Sequence, residues 1–197
     1  MKKRWLLGIF SVILIIGVGG IACAGTFTLN DYNVSLHTSD PGLVLYWNPI
    51  LPFGSTTNLN VGQSTGWFDF FKIGTTEGTV NAGEDTVHYP ISVSFNWTAP
   101  SGTVPDTVNG ETWGWRILFG LFEGGKVEWS DSPAVFNFGT GGQFKLALTD
   151  GDFGVPGSDV IKAKLTYVTA SVPEPATMLL LGLGLVGLAG VRRKFIG

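Results

Sequence analysis

Three aspartates in one glycine-rich stretch are the clearest candidates for metal chemistry. Asp150, Asp152 and Asp159 lie in LTDGDFGVPGSD, and Ca²⁺ binds several hard oxygen ligands, often beginning with a D-x-D turn. The EF-hand pattern fails, because no further acidic or amide ligand and no terminal glutamate follow at the required spacing. We therefore interpret the stretch as a long solvated hairpin loop that contains a weak calcium candidate.

Two tryptophans at alternate positions, Trp113 and Trp115, indicate a second kind of site. Residues two apart on a strand point to the same face of a sheet. Both indoles would then present flat apolar surfaces that stack on sugar rings. The alternative is core packing, because tryptophan buries a large area and a domain without disulfides needs large side chains inside. The sequence leaves both interpretations open.

Other catalytic patterns are weak. His37 and His88 are isolated and match neither H-x-H nor H-E-x-x-H, so they predict no zinc site. A glycosidase needs only two carboxylates, which leaves a small extracellular hydrolase as an alternative without named residues. We predict no catalytic residue, no resident metal and no cofactor.

The elements that would position these residues are strands. Apolar and polar residues alternate with a period of two in PISVSFNWTAP, QFKLALTD and DVIKAKLTYVTA, and turn residues separate the runs. The segment ETWGWRILFGLFEGG is apolar on both sides from Ile117 onward, which predicts a central strand. We predict an all-β fold, a single β-sandwich of jelly-roll or immunoglobulin-like type, flanked by an N-terminal signal helix and a C-terminal hydrophobic helix.

Charge and cysteine content exclude several classes of function. Between Gly25 and Pro175 the chain has six basic and 15 acidic residues, a formal charge of −9. Such a surface repels phosphate backbones, so we predict no nucleic-acid partner. Cys23 is the single cysteine of the chain, so a mature domain that lacks it has neither disulfides nor thiolate chemistry.

The beginning of the chain has the three-part order of a secretory signal peptide. The basic start MKKR precedes an apolar run, and Ala22 and Ala24 then form an A-x-A arrangement. This order predicts a signal peptide of residues 1–24, cleaved after Ala24. The alternative is an uncleaved N-terminal membrane anchor.

The end of the chain predicts a temporary membrane anchor. Ala176 to Val191 are 16 residues without a charge, and as a helix they span about 24 Å, less than the ~30 Å hydrocarbon layer. The basic cluster Arg192, Arg193 and Lys194 predicts a membrane stop-transfer signal on the cytoplasmic side. Both ends of the precursor therefore keep positive charge inside, and the acidic middle faces outward.

Pro173, Glu174 and Pro175 precede that apolar run as a stiff extended segment, since proline fixes its own backbone and restricts the residue before it. VPEP, the glycine-rich apolar run and the RRK cluster together resemble the PEP-CTERM sorting signal of Gram-negative bacteria. The resemblance implies that an exosortase, a membrane-embedded cysteine protease, recognises Pro173, Glu174 and Pro175 and removes the tail. It also implies a bacterium that makes extracellular polysaccharide.

The resemblance covers only the tail, residues 172–197, and implies no activity for the domain before it. The same tail is also described as the C-terminal domain of ice-binding proteins. Regular ranks of threonine on repeated strands are absent from this sequence, so we do not predict ice binding.

These observations predict an exported cell-surface or extracellular-matrix protein in three parts: signal peptide 1–24, β-sandwich ectodomain 25–171 and sorting signal 172–197. The leading hypothesis is a non-catalytic ectodomain. The alternative is a module that binds extracellular polysaccharide through Trp113 and Trp115. The predicted partners are an exosortase, the membrane in the precursor and, in the alternative, the polysaccharide.

Overall fold

The computed structural model describes residues 24–104, 107–172 and 181–185. This described part is nearly all β, which confirms the predicted class. Residues 181–185 are helical, whereas the predicted signal helix lies outside the described residues. The strands are β1 (Ala24–Ser35), β2 (Tyr46–Pro49), β3 (Ser55–Asn60), β4 (Phe68–Thr75), β5 (Tyr89–Ala99), β6 (Thr107–Ile117), β7 (Phe122–Trp129), β8 (Ala134–Phe138), β9 (Gly142–Leu148), β10 (Gly151–Gly154) and β11 (Gly157–Thr169).

The strands form two antiparallel sheets. Sheet A has the order β10-β7-β6-β5-β1-β3, and sheet B has the order β2-β4-β11-β9-β8. Strands β1 to β5 belong alternately to sheet A and sheet B, and so do β9 to β11. Strands β5, β6 and β7, by contrast, follow one another in sheet A. Because the strands of both sheets are built from short alternating segments, each sheet has one apolar and one polar face.

Strand β11 illustrates how the alternation fixes its orientation. Ile161, Ala163 and Leu165 are buried, and Lys162 between them is exposed. A shift of one residue in pairing would turn all the apolar side chains toward water. The alternation in the sequence therefore determines which face of β11 lies on the core.

Aromatic side chains from both sheets meet in one core. Phe27 on β1 lies edge-on to Phe144 of β9 and Tyr167 of β11, with ring centroids 5.3 and 5.0 Å apart. Phe144 stacks on Phe136 of β8 at 4.9 Å. Edge-to-face and offset pairs of this kind add about 0.5–1.5 kcal/mol each to the free energy of area burial. The core thus joins the two sheets without a disulfide.

The predicted central strand ETWGWRILFGLFEGG is right only in its first part, which belongs to β6 inside sheet A, and wrong beyond Ile117. Strand β6 ends at Ile117, and a 3-10 turn at Leu118–Gly120 reverses the chain into β7. Leu118 and Phe119 have φ of 51° and 59°, the left-handed region that non-glycine residues rarely occupy. The apolar run is therefore the tip of a hairpin, and apolar and polar residues do not alternate in it because neither side of it faces the core.

The aspartate-rich stretch also differs from the expected loop. Gly151–Gly154 form β10, which pairs antiparallel with β7 at the edge of sheet A. Four residues with two glycines are too short and too poor in side chains to show a period of two. Only its pairing with β7 identifies Gly151–Gly154 as a strand.

Candidate functional site

Trp113 and Trp115 lie on the outer face of sheet A. Their neighbours Thr112 and Gly114 are buried on the inner face, whereas both tryptophans are half-buried. Residues two apart on β6 therefore share a face, as the alternation predicts. Neither tryptophan belongs to the buried core cluster.

Trp115 lies flat on the backbone of the neighbouring strand. A Cβ at Gly124, its partner on β7, would lie 2.5 Å from Cε2 of the indole. The indole Nε1–H donates to Asp152 Oδ1 of β10 at 3.1 Å. A glycine is required at this position because any side chain would lift the ring from the sheet.

Trp113 is more enclosed. His88 stacks on its ring with centroids 4.1 Å apart and planes at 6°, and Lys126 Nζ lies 5.3 Å from its centroid. His88 Nδ1 is 2.8 Å from Glu111 Oε2. The structure brings both predicted tryptophans to one surface, but Trp115 is the one without a ring or cation stacked on it among the described residues.

The three candidate aspartates accept hydrogen bonds from N–H groups. Asp150 Oδ1 accepts from the Trp129 amide at 3.1 Å, and Asp159 accepts from the amides of Asp152 and Val160 at 3.1 and 2.7 Å. Within residues 24–104, 107–172 and 181–185, no group of three or more His, Cys, Asp or Glu side chains is placed to hold a metal ion. These hydrogen bonds hold the segment around β10 in place.

Other carboxylates have the same role in long loops. Asp85, fully buried, accepts from the Asn81 amide at 2.6 Å, and Glu123 accepts from the Val80 amide at 2.8 Å. Glu77 accepts from the Val44 amide at 2.9 Å, and burial raises the pKa of its carboxyl above the ordinary value. Glu123 on β7 thus holds a loop to a strand, whereas Asp85 makes a contact within the β4–β5 loop and Glu77 joins that loop to the β1–β2 loop.

A serine pattern that sequence reasoning missed lies between β3 and β4. Residues 62–66 read GQSTG, which matches G-x-S-x-G, but a nucleophile elbow requires a strand followed by a helix. Here the segment is a turn that pairs with β11, and Ser64 Oγ lies 2.8 Å from Thr166 Oγ1. The two histidines are engaged elsewhere, His37 on Tyr89 and His88 on Trp113.

An apolar cavity of about 240 Å³ lies between the sheets. Its lining includes Phe27, Phe70 and Trp97, with hydroxyl groups such as those of Ser55 and Thr65. Trp97 Nε1 is buried without a hydrogen-bond partner in the described part of the chain, and an unsatisfied donor of this kind costs about 1–3 kcal/mol. Among the residues that the structure describes, no titratable group lines the cavity.

The chain leaves the domain beside the β8–β9 hairpin. Strand β11 ends at Thr169, and the exposed Val172 donates its amide to Thr140 O at 2.9 Å. The predicted motif Pro173–Pro175 and the basic cluster 192–194 lie outside the described residues. Among the helical residues that the structure describes, none belongs to a helix long and apolar enough to cross a membrane.

The comparison with protein families concerns this tail. Residues 171–194 match the model of the PEP-CTERM protein-sorting motif. No curated protein and no solved structure matches the chain. The tail therefore carries the PEP-CTERM motif, which in general directs export and exosortase-targeted sorting.

Proposed function

We propose that this chain is an exported cell-surface or extracellular-matrix protein with a non-catalytic β-sandwich. The tail anchors the precursor transiently in the membrane, and an exosortase cleaves at the Pro173–Pro175 motif. The observation that carries the proposal is the match of residues 171–194 to the sorting motif. The acidic domain before it, with 14 acidic and six basic residues between Gly25 and Ser171 and hence a formal charge of −8, is then the delivered part.

The roles of the carboxylates support a non-catalytic domain. Asp85, Glu123 and Glu77 each accept a backbone N–H from a loop. A general acid or nucleophile needs a carboxyl group that faces substrate. A carboxylate that holds a loop would release the loop if it changed its protonation state or its hydrogen-bond partner during a reaction. Their placement suits a rigid binding or structural body.

The sorting proposal is tested by replacing both motif prolines, Pro173→Ala and Pro175→Ala, in the producing cell. We expect the tail to stay uncut, because alanine releases the extended backbone that a processing enzyme reads. The control is Thr177→Ala, which leaves Pro-Glu-Pro intact. The mass of the protein in membrane and released fractions gives the result, and normal processing of the double variant would overturn the proposal.

Carbohydrate binding at Trp115 is the second candidate, and one observation favours it. The Trp115 indole lies flat on the glycine backbone of β7, and Asp152 beside it holds the ring through Nε1. A flat ring with an acceptor at its edge suits a sugar whose ring stacks and whose hydroxyls donate hydrogen bonds.

Gly124→Ala tests this candidate without removing an aromatic residue. The added methyl group would meet the indole of Trp115 and also Phe153 O of β10 at 2.6 Å, so melting curves must show that the variant is folded, whereas the same change at Gly154, on the neighbouring strand, meets nothing within 4 Å. If the platform binds sugar, Gly124→Ala weakens binding of polysaccharide from the producing cells and Gly154→Ala does not. Equal binding by both variants in a fluorescence titration argues against the platform.

A further inference from the structure

The few basic side chains of the domain are not spread evenly. Four of the six between Gly25 and Pro175 lie on the outer face of sheet B: Lys72, Lys145, Lys162 and Lys164. Each lies between buried neighbours on its strand, so each points away from the core. In a domain of formal charge −8 between Gly25 and Ser171, this face concentrates most of the positive charge.

The register places the four lysines in one diagonal row, here called the lysine stripe. Lys72 on β4 pairs with Val160 of β11, and Lys145 on β9 pairs with Thr166. Lys162 and Lys164 occupy the outward positions of β11 between those two levels. Successive lysines are thus about 7 Å apart along the strand direction, and the stripe is roughly 20 Å long over three strands.

The stripe is largely free of counter-charge. Among the described residues, Asp69 is the one acidic side chain on this face, and its Oδ1 lies 3.9 Å from Lys162 Nζ. Lys72 and Lys145 have no ion pair within 4 Å in the same part of the chain. On sheet A, by contrast, Lys126 is paired with Glu128.

An exposed ring lies beside the stripe. Trp67 is 50% exposed, and Lys164 Nζ lies 5.1 Å from its ring centroid. Hydroxyl groups of Ser64 and Thr166 lie next to it on the same face. The face therefore combines a row of cations, one flat apolar surface and small polar groups.

We propose that the lysine stripe and Trp67 form a binding face for a linear carboxylated polysaccharide. The lysines pair with successive carboxylates, and Trp67 stacks on a sugar ring. The acidic remainder of the surface repels the same polymer, so it directs the polymer to this face. This assignment rests on the proposed export, which brings the domain into contact with polysaccharide outside the cell.

Charge complementarity and the shape of the stripe favour a carboxylated polysaccharide as the partner. The stripe is straight, three strands wide and exposed, which suits an extended chain more than a small ligand that needs an enclosed pocket. A single stacking ring suits occasional contact with a sugar face, whereas single-stranded nucleic acid is held by aromatic side chains that stack successive bases. The site is distinct from Trp115, whose neighbour Asp152 would repel a carboxylated polymer.

The test uses the full chain and polygalacturonate, with fully methyl-esterified polygalacturonate as the neutral polymer of the same backbone. We expect binding of the charged polymer alone, weakening as salt rises because counterions are released. Lys162→Gln should reduce affinity about threefold. Lys126→Gln removes the same charge from sheet A and should leave affinity unchanged. Melting curves establish that the variants are folded.

Further variants separate the alternatives. Trp67→Leu keeps every charge and should weaken polygalacturonate binding while leaving the salt dependence unchanged. Equal losses from Lys162→Gln and Lys126→Gln would overturn the stripe, as would equal binding of the esterified polymer. Tighter binding of single-stranded DNA or of phosphatidylglycerol vesicles would also overturn it, in favour of those partners. Processing of the tail is measured separately, so failure of the stripe leaves the sorting test independent.

Discussion

Glu77 joins the β4–β5 loop to the β1–β2 loop at an electrostatic cost. Its Oε1 accepts the Val44 amide at 2.9 Å, and Thr75 Oγ1 donates to Val44 O at 2.7 Å, so both polar groups of one loop residue are satisfied. Burial, and then the nearby charges of Asp85, Asp40 and Glu84, raises the pKa of Glu77. The folded state therefore binds the proton of this group more tightly than the unfolded chain does.

The raised pKa predicts a specific pH dependence. Below about pH 4.3, the ordinary glutamate value, Glu77 is protonated in both states and folding has no charge to bury. As pH rises through the folded pKa, the carboxylate ionises and the free energy of unfolding falls. Glu77→Gln keeps an acceptor for Val44 and removes the charge.

We therefore expect Glu77→Gln to match the wild type at low pH and to be more stable at neutral pH. The gain should be under about 1 kcal/mol, because solvent screens a partly exposed group. Denaturant unfolding at several pH values measures it, with Glu128→Gln as the control, because Glu128 is exposed and is not among the charges that raise the pKa of Glu77. A variant that is less stable at neutral pH than at low pH, relative to wild type, would contradict this account.

At the scale of elements, the β6–β7 hairpin tip is unlike the other turns. Its large apolar side chains are all more than half exposed: Ile117, Leu118, Phe119, Leu121 and Phe122. An ion pair between Arg116 and Glu123, with Nη2 and Oε1 3.6 Å apart, lies at its base. Contiguous exposed apolar groups favour association with other apolar surfaces.

Phe119→Asn should reduce that association without loss of stability. Phe119 is fully exposed and has φ of 59°, and asparagine tolerates the left-handed region better than phenylalanine. We expect lower binding of an apolar dye, with the free energy of unfolding unchanged or about 0.5–1 kcal/mol higher. Val87→Asn, at an isolated exposed position, is the control. A marked loss of stability would mean that the ring packs on the domain.

At the scale of the whole molecule, the buried cluster of the described residues ends before the sorting motif begins. Its buried cluster runs from Phe27 to Tyr167, and the last strand ends at Thr169. The tail is thus attached to a closed two-sheet body. This arrangement agrees with a segment that is removed after it has directed sorting.

A chain that ends at Val172 should therefore melt within a few degrees of the full chain. A chain that ends at Asp159 loses most of β11, including the buried Ile161 and Leu165, and should not fold, because those side chains and the central pairing of sheet B are lost. Circular dichroism on heating measures both. A large drop for the first truncation would show that the tail contributes to the core.

The sequence by itself determined the all-β class, the face of each regular strand and the sorting motif. Alternation in β9 and β11 is enough to orient them, because the period of a strand is fixed by backbone geometry. The motif is equally local: adjacent residues such as Pro173 and Pro175 carry it.

Only the tertiary structure decided which residues share a surface. The lysine stripe joins residues as distant as Lys72 and Lys164, and their alignment depends on strand pairing across β4, β11 and β9. The flat indole of Trp115 depends on Gly124 of another strand. The hairpin at Leu118 depends on left-handed backbone that an apolar run does not signal. Pairing between segments far apart in the chain is a long-range property, so a local pattern fixes the faces of strands but not their neighbours.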